Sequence, residues 1–214
     1  MPKATLPAPW RKPLLGWQRC TKSCMANSLP WTYTPAWLSA SEAETLYAEG
    51  WTKWPWEQGS VKLFGKLIPE PRRSFFQADE GLTYTYSKRR LVGQGWLPEL
   101  HSLRDRLNEE LGTRFNSVLV NAYRDGRDYM GYHQDHEPEL GPAPHVASIS
   151  LGASREFLFK SLHHPEETHR IVLESGALLH MLPPCQKAFK HALPKRLGCH
   201  EPRINLTFRE LMPE

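Results

Sequence analysis

Seven residues near the carboxyl end, Arg203-Ile204-Asn205-Leu206-Thr207-Phe208-Arg209, alternate polar and apolar without a break. A period of two is the mark of a strand. Ile204, Leu206 and Phe208 share one face, and Arg203, Asn205, Thr207 and Arg209 share the other. The same period predicts strands over 117–123, 145–151, 156–160, 169–174 and 177–181. Short strands separated by turn residues point to an antiparallel sandwich or barrel. Nineteen prolines in 214 residues argue against a helical bundle.

The first half reads differently. Ser39-Ala40-Ser41-Glu42 resembles a capping box, and the helix it opens is expected to stop at Gly50. Leu100, Leu103, Leu107 and Leu111 fall at helical spacing over 97–111, with Gly112 ending the run. Residues 1–37 lack periodicity and read as an irregular basic arm rich in Trp and Pro. Residues 38–112 read as N-terminal helices and a second, recognition part, and 113–214 as the strand-built core. The class expected is α+β, mainly β.

Residues 1–41 carry Lys3, Arg11, Lys12, Arg19 and Lys22 and no acid, so the whole net charge of +4 sits there. Between Lys53 and Arg90, eight bases face four acids. Both surpluses would attract a polyanion, although a solvated basic face gives the same count. No apolar run approaches the roughly 18 residues of a membrane span, so no membrane partner is expected. Pro13-Leu14-Leu15-Gly16-Trp17 is too short and broken for a secretory core. The expectation is the cytoplasm in a bacterium or the nucleus in a eukaryote, with Cys20, Cys24, Cys185 and Cys199 reduced.

The chemistry begins at His133-Gln134-Asp135, an imidazole and a carboxylate two residues apart. On a strand both point to one face and could hold one metal ion. A third ligand is needed. His191 is a good candidate, and His136, His145, His163, His164, His180 and His200 compete with it. Two His and one carboxylate on one side of a metal are the arrangement of non-haem Fe(II) oxygenases. The polar face of 203–209, with two Arg bracketing an Asn and a Thr, suits carboxylates gripped by charge-assisted hydrogen bonds. Asn121 and Tyr123 share a face of an earlier strand, and could line the same pocket. Cys185, His191, Cys199 and His200 match no common zinc spacing, so a zinc site is rejected.

Taken in order, Asn121-x-Tyr123, His133-x-Asp135, Ser150-Leu151-Gly152-Ala153, His191-Ala192-Leu193-Pro194 and Arg203-x-Asn205-x-Thr207-x-Arg209 resemble the AlkB family of Fe(II)- and 2-oxoglutarate-dependent dioxygenases. The resemblance implies a double-stranded β-helix, or jelly-roll, core with flanking N-terminal helices and a nucleotide-recognition lid. It implies Fe(II) held by His133, Asp135 and His191. It places the distal carboxylate of 2-oxoglutarate on Arg203 with Tyr123, and completes that site with Asn121, Asn205, Thr207 and Arg209. The reaction implied consumes O2 and 2-oxoglutarate, releases succinate and CO2, and hydroxylates an N-methyl group that then leaves as formaldehyde.

On the substrate side the resemblance implies alkylated DNA, with bases of the 1-methyladenine and 3-methylcytosine type. Glu137 would hold the base edge, and Tyr84 and Tyr86 would stack on an extruded base. Val61-Lys62-Leu63-Phe64-Gly65-Lys66, followed by Pro71-Arg72, is similar to the finger hairpin of the duplex-preferring mammalian member. Phe64 would be the wedge, flanked by Gly65 and Lys66. The alternatives are the same iron chemistry on RNA or a protein side chain, and a catalytically silent nucleic-acid-binding jelly roll. A monomer is expected.

Overall fold

In the computed structural model, residues 29–63, 65–86 and 89–213 are described. Along the chain run β1 (Trp31–Thr34), α1 (Ala40–Lys53), β2 (Ser60–Leu63), β3 (Lys66–Pro69), β4 (Arg73–Ala78), β5 (Thr83–Tyr86), β6 (Arg89–Val92) and α2 (Pro98–Leu111). The second half holds β7 (Ser117–Tyr123), β8 (Met130–His133), β9 (Val146–Gly152), β10 (Arg155–Ser161), β11 (Thr168–Leu173), β12 (Leu178–Met181), α3 (Pro184–Ala188), β13 (Phe189–Leu193) and β14 (Arg203–Arg209).

A six-stranded antiparallel sheet has the order β1-β12-β9-β14-β7-β4, and a four-stranded sheet the order β11-β10-β13-β8. The two sheets face each other across a core of Trp31, Val146, Phe157, Phe159, Leu179, Phe189 and Leu193. This is the jelly roll, mainly β, with helices added on one side.

The alternation in β14 settles which way its two faces look. Ile204, Leu206 and Phe208 pack outward against α1 and α2, in one cluster with Trp54, Leu100, Leu103, Leu107, Val118, Val120, Ile149 and Leu151. Each fully buried leucine there contributes roughly 2 kcal/mol. Arg203, Asn205, Thr207 and Arg209 turn inward between the sheets, and all seven residues of β14 are buried. A surface strand would leave these polar groups in water. Here they line the interior.

The helices follow their end signals closely, with one difference. Ser39 and Glu42 form both halves of the capping box at the start of α1. Pro98 opens α2, and Gly112 closes it in the left-handed conformation. However, α1 runs through Gly50 to Lys53. A Cβ at Gly50 would lie 2.8 Å from Ile204 Cδ1. The glycine lets the helix approach the sheet rather than ending it.

Three further differences concern strands. Trp31–Thr34, inside the stretch expected to be an irregular arm, pairs with β12 as an edge strand, its Trp31 ring stacked 3.9 Å from Phe159. Arg73–Ala78, inside the stretch assigned to recognition, pairs with β7 and forms the opposite edge of the same sheet. The core sheet is thus completed by strands from before residue 113. Asp135 lies two residues beyond the end of β8, so it does not share a strand face with His133.

Candidate metal and 2-oxoglutarate site

Register brings the site together. Across β9, β14 and β7, Gly152, Arg203 and Tyr123 form one row, and Ser150, Asn205 and Asn121 the next. His191 on β13 is paired directly with His133 on β8 in the facing sheet. The inward residues of both sheets enclose a pocket lined by Asn121, Tyr123, Ser148, Phe157, Arg203, Asn205 and Thr207, with His133 and His191 at its wall. Met130, Met181 and Leu193 supply its apolar surface.

One ligand atom each from His133, Asp135 and His191 lies within 4.8 Å of the others. The rings of His133 and His191 stand edge to face at 4.3 Å, and Phe157 stacks on His191 at 5.4 Å. Asp135 reaches this position from a loop, and side chains hold it there. Its Oδ1 accepts from Arg209 Nη2 at 2.8 Å, and its backbone N–H donates to Gln186 Oε1 at 2.9 Å. Gln186 also accepts through its backbone carbonyl from Gln134 Nε2.

Burial works to raise the Asp135 carboxyl, but Arg209, His191 and His133 together outweigh it and hold it at about 2. Burial, with His133 beside it, draws His191 down to about 3. At neutral pH the site therefore presents an anionic carboxylate and a neutral imidazole, the protonation states in which these groups ligate metal. Asp135 Oδ2 and His191 Nε2 face each other at 3.6 Å, and Asp135 Oδ2 has no hydrogen-bond partner. A buried carboxylate oxygen without a partner is costly, and a cation of hard or borderline character fits it. Two imidazoles and one carboxylate suit iron.

Arg203 carries the same kind of signal for an anion. It is almost fully buried. Its Nη2 donates to Ser150 Oγ at 2.9 Å, while Nε and Nη1 have no partner. Burial lowers its pKa to about 10, with Tyr123 opposing, and the guanidinium lies over the Tyr123 ring at 5.4 Å. A carboxylate set end-on to Nη1 and Nη2 would take one open donor and share the second nitrogen. Asn205 Nδ2 donates to Ser148 Oγ and to the Ile149 carbonyl, which fixes the amide in the pocket wall. Arg209 differs from the other three polar residues of β14. It lies against Asp135 and not in the pocket lining.

The residues expected to meet a base stand apart from this pocket. Tyr84 and Tyr86 share a face of β5, rings 5.9 Å apart. Tyr84 is buried in a small cluster with Ala78, Leu140 and Leu211, and its hydroxyl lacks a partner. Burial pushes both phenols up, Tyr86 to about 12. Glu137 precedes a short 3-10 turn and has one buried oxygen unpaired. Gly65 takes a left-handed turn conformation between β2 and β3, and Lys66 is exposed beside it. Phe64 lies outside the described residues.

Sequence reasoning missed Gln186, Ser148 and Phe157, and it quoted Ser150 and Arg72 among the family motifs without giving either a contact. Gln186 is 51 residues from the backbone it holds, and no spacing links the two. Arg72 donates through Nε to Asn121 Oδ1 at 3.1 Å and through Nη2 to the Tyr86 hydroxyl at 3.1 Å.

Residues 30–209 match the 2OG-Fe(II) oxygenase superfamily. DNA oxidative demethylase ALKBH2 of Mus musculus is 43% identical over 160 residues, covering 72% of this chain and 67% of that one. ALKBH2 of Homo sapiens is 37% identical over 197 residues, covering 87% and 75%. Alpha-ketoglutarate-dependent dioxygenase alkB homolog 3 of Mus musculus is 34% identical over 189 residues, covering 84% of this chain and 65% of its own length. The solved structure of OsALKBH1 superimposes with a TM-score of 0.57 at 16% identity, over 86% of this chain and 99% of that one, a likeness of fold. The pocket between the sheets and these similarities place the chain in the AlkB family of the 2OG-Fe(II) oxygenase superfamily, as an Fe(II)- and 2-oxoglutarate-dependent dioxygenase.

Proposed function

We propose that this enzyme oxidatively demethylates N-alkylated bases in DNA, of the 1-methyladenine and 3-methylcytosine type. The observation that carries the reading is two unsatisfied groups at one site: Asp135 Oδ2 beside the two imidazoles at the pocket wall, and Arg203 inside the pocket with two open donors. Relatives named DNA oxidative demethylase support the substrate.

In this reading His133, Asp135 and His191 hold Fe(II). Arg203 and Tyr123 take the distal carboxylate of 2-oxoglutarate, with Asn121, Asn205 and Thr207 around it. Iron with 2-oxoglutarate and O2 supplies the oxidising power, converting the cosubstrate to succinate and CO2 and hydroxylating the N-methyl carbon. The hydroxymethyl product expels formaldehyde and leaves the repaired base. Arg209 orients Asp135 and keeps it ionised. Phe157 and the methionine side chains exclude water around the reacting centre. Tyr86 offers a ring face to an extruded base, and Glu137 a carboxylate to its cationic edge. The Val61–Lys66 segment is the one proposed to fill the gap in a duplex, with Phe64 as the wedge.

The test is formaldehyde and succinate release with Fe(II), ascorbate and 2-oxoglutarate, on 3-methylcytosine oligonucleotides as single strand and duplex. The expected outcome is both products in equal amounts, falling on the order of a thousandfold in Asp135→Asn. Succinate without formaldehyde on every DNA form would overturn the substrate. Unchanged turnover in Asp135→Asn would remove that residue from the metal set.

A further inference from the structure

Four charged side chains run from the base side of the site to the surface. The innermost, Arg72, is buried and joins the wall of the cosubstrate pocket at Asn121 to the lid at the Tyr86 hydroxyl. Its Nη2 also lies 3.2 Å from Glu70 Oε2, and Glu70 is as deeply buried as Arg72. A Cβ on Gly59 would stand 2.9 Å from Glu70 Oε2 and 3.1 Å from Arg89 Nη1, so that carboxylate and the Arg89 guanidinium border the space which the missing side chain leaves. Arg89 pairs in turn with the exposed Glu57 at 3.2 Å. Glu57, Glu70, Tyr86 and Arg89 all line a groove of about 580 Å³ between β4 and the β5–β6 hairpin.

A buried ion pair is weak evidence for stability, because desolvating both ions offsets most of their attraction. Its position matters more here. Arg72 holds the polar end of the ring read above as the base-stacking face. Alone, it would put a full positive charge at the edge of the base pocket.

The candidate substrates fall into two electrostatic classes. Methylation at N1 of adenine or N3 of cytosine uses a ring lone pair and gives a cation. Methylation at N1 of guanine or N3 of thymine replaces a ring N–H and gives a neutral base. An uncompensated Arg72 would repel the first class and leave the second nearly untouched.

We infer that Glu70 is a specificity-determining residue of the base site: its carboxylate cancels the Arg72 charge beside Tyr86 and so admits cationic N-alkylated bases. This rests on the dealkylase reading above.

Glu70→Gln keeps the size and the acceptor and removes only the charge. The comparison is kcat/KM for formaldehyde release from 3-methylcytosine and 3-methylthymine in one oligonucleotide sequence. Competition binding of the two oligonucleotides to the same protein reads the ratio where turnover is slow. Expected is a fall of roughly tenfold for 3-methylcytosine, the scale of one unscreened charge at this range. Change for 3-methylthymine should stay under about twofold, as it carries no charge for Arg72 to repel. Glu70→Asp should restore most of the ratio. Gly59→Ala, which displaces the carboxylate from outside the pair, should shift the ratio the same way by less, and decides the matter if Glu70→Gln is insoluble.

An equal loss on both lesions, or an unmoved ratio, overturns the inference while leaving the dealkylase reading intact. No formaldehyde from either lesion with the unaltered enzyme overturns that reading, and the inference with it.

Discussion

The residues proposed to grip the cosubstrate and those proposed to meet the base are held by different means. Asn121, Tyr123, Arg203, Asn205 and Thr207 sit on β7 and β14, each strand hydrogen-bonded to a neighbour on both flanks. Shifting any of them requires slipping a register that the buried apolar face of the same strand also fixes. Tyr84 and Tyr86 sit on β5, whose only strand partner among the described residues is β6. A two-stranded hairpin is marginal alone. It is tied down by the Thr85 N–H donating to Glu139 at 3.0 Å, by Arg72 on the Tyr86 hydroxyl, and by a small apolar cluster. The second hairpin, β2–β3, exposes Leu67 and Ile68. The groups proposed to grip a small, invariant cosubstrate occupy over-determined positions. Those proposed to meet a large substrate occupy elements with few contacts to break.

Two substitutions test this contrast, and a change of pH tests the sheet that carries one side of it. The largest effect is expected from Arg203→Ala, which removes two open charged donors. The 2-oxoglutarate concentration for half-maximal turnover should rise about a hundredfold, the worth of two charge-assisted hydrogen bonds. Binding of the oligonucleotide should hold steady, as followed by fluorescence polarisation. A titration curve matching the unaltered enzyme would take Arg203 out of the cosubstrate site.

Next comes Tyr86→Ala. Loss of one stacking face should lower turnover on 3-methylcytosine by roughly tenfold or more, with no change in the 2-oxoglutarate requirement. If that requirement rises too, the two sides are not independent, and the Arg72 bridge to Asn121 transmits more than it separates.

The smallest effect concerns acid. His180 on β12 is buried 3.0 Å from His145, and burial, then the neighbouring imidazole, pull it down to about 4. It stays neutral in the fold while the unfolded chain takes up a proton below about 6.5. Its contribution is complete above that pH and is lost as pH falls towards 4, at up to about 1.4 kcal/mol per pH unit. Urea midpoints measured from pH 7 to 4.5 should therefore fall less steeply in His180→Asn. Parallel curves would mean that His180 does not gain a proton on unfolding.

Legibility in the sequence followed the range of the forces involved. Strands β7 and β14 could be read residue by residue, because alternation is local and both run seven residues. The capping box and the Leu100, Leu103, Leu107 stripe were readable for the same reason. Trp31–Thr34 was not, since an alternation of only four residues is too short to stand out and becomes a strand only by pairing with β12. Gly50 misled because a glycine that ends a helix and one that admits a neighbouring strand look alike in sequence. His133, Asp135 and His191 were legible as a set through family resemblance. The means by which Asp135 is held was not, because Gln186 and Arg209 reach it from 51 and 74 residues away. The contacts of Arg72 escaped for the same reason.

The placement of β14 between β9 and β7 bears on how such an enzyme can change over generations. A substitution that shifted the backbone carrying the cosubstrate grip would disturb the middle of the sheet, and would be removed as a folding defect before it could be tried as a new activity. Residues 60–92 hold the hairpins proposed to face the base and, among the described residues, share little of that burden outside β4. Variation can accumulate there and redirect the oxidation to other bases or strand forms, while the machinery that performs it stays fixed.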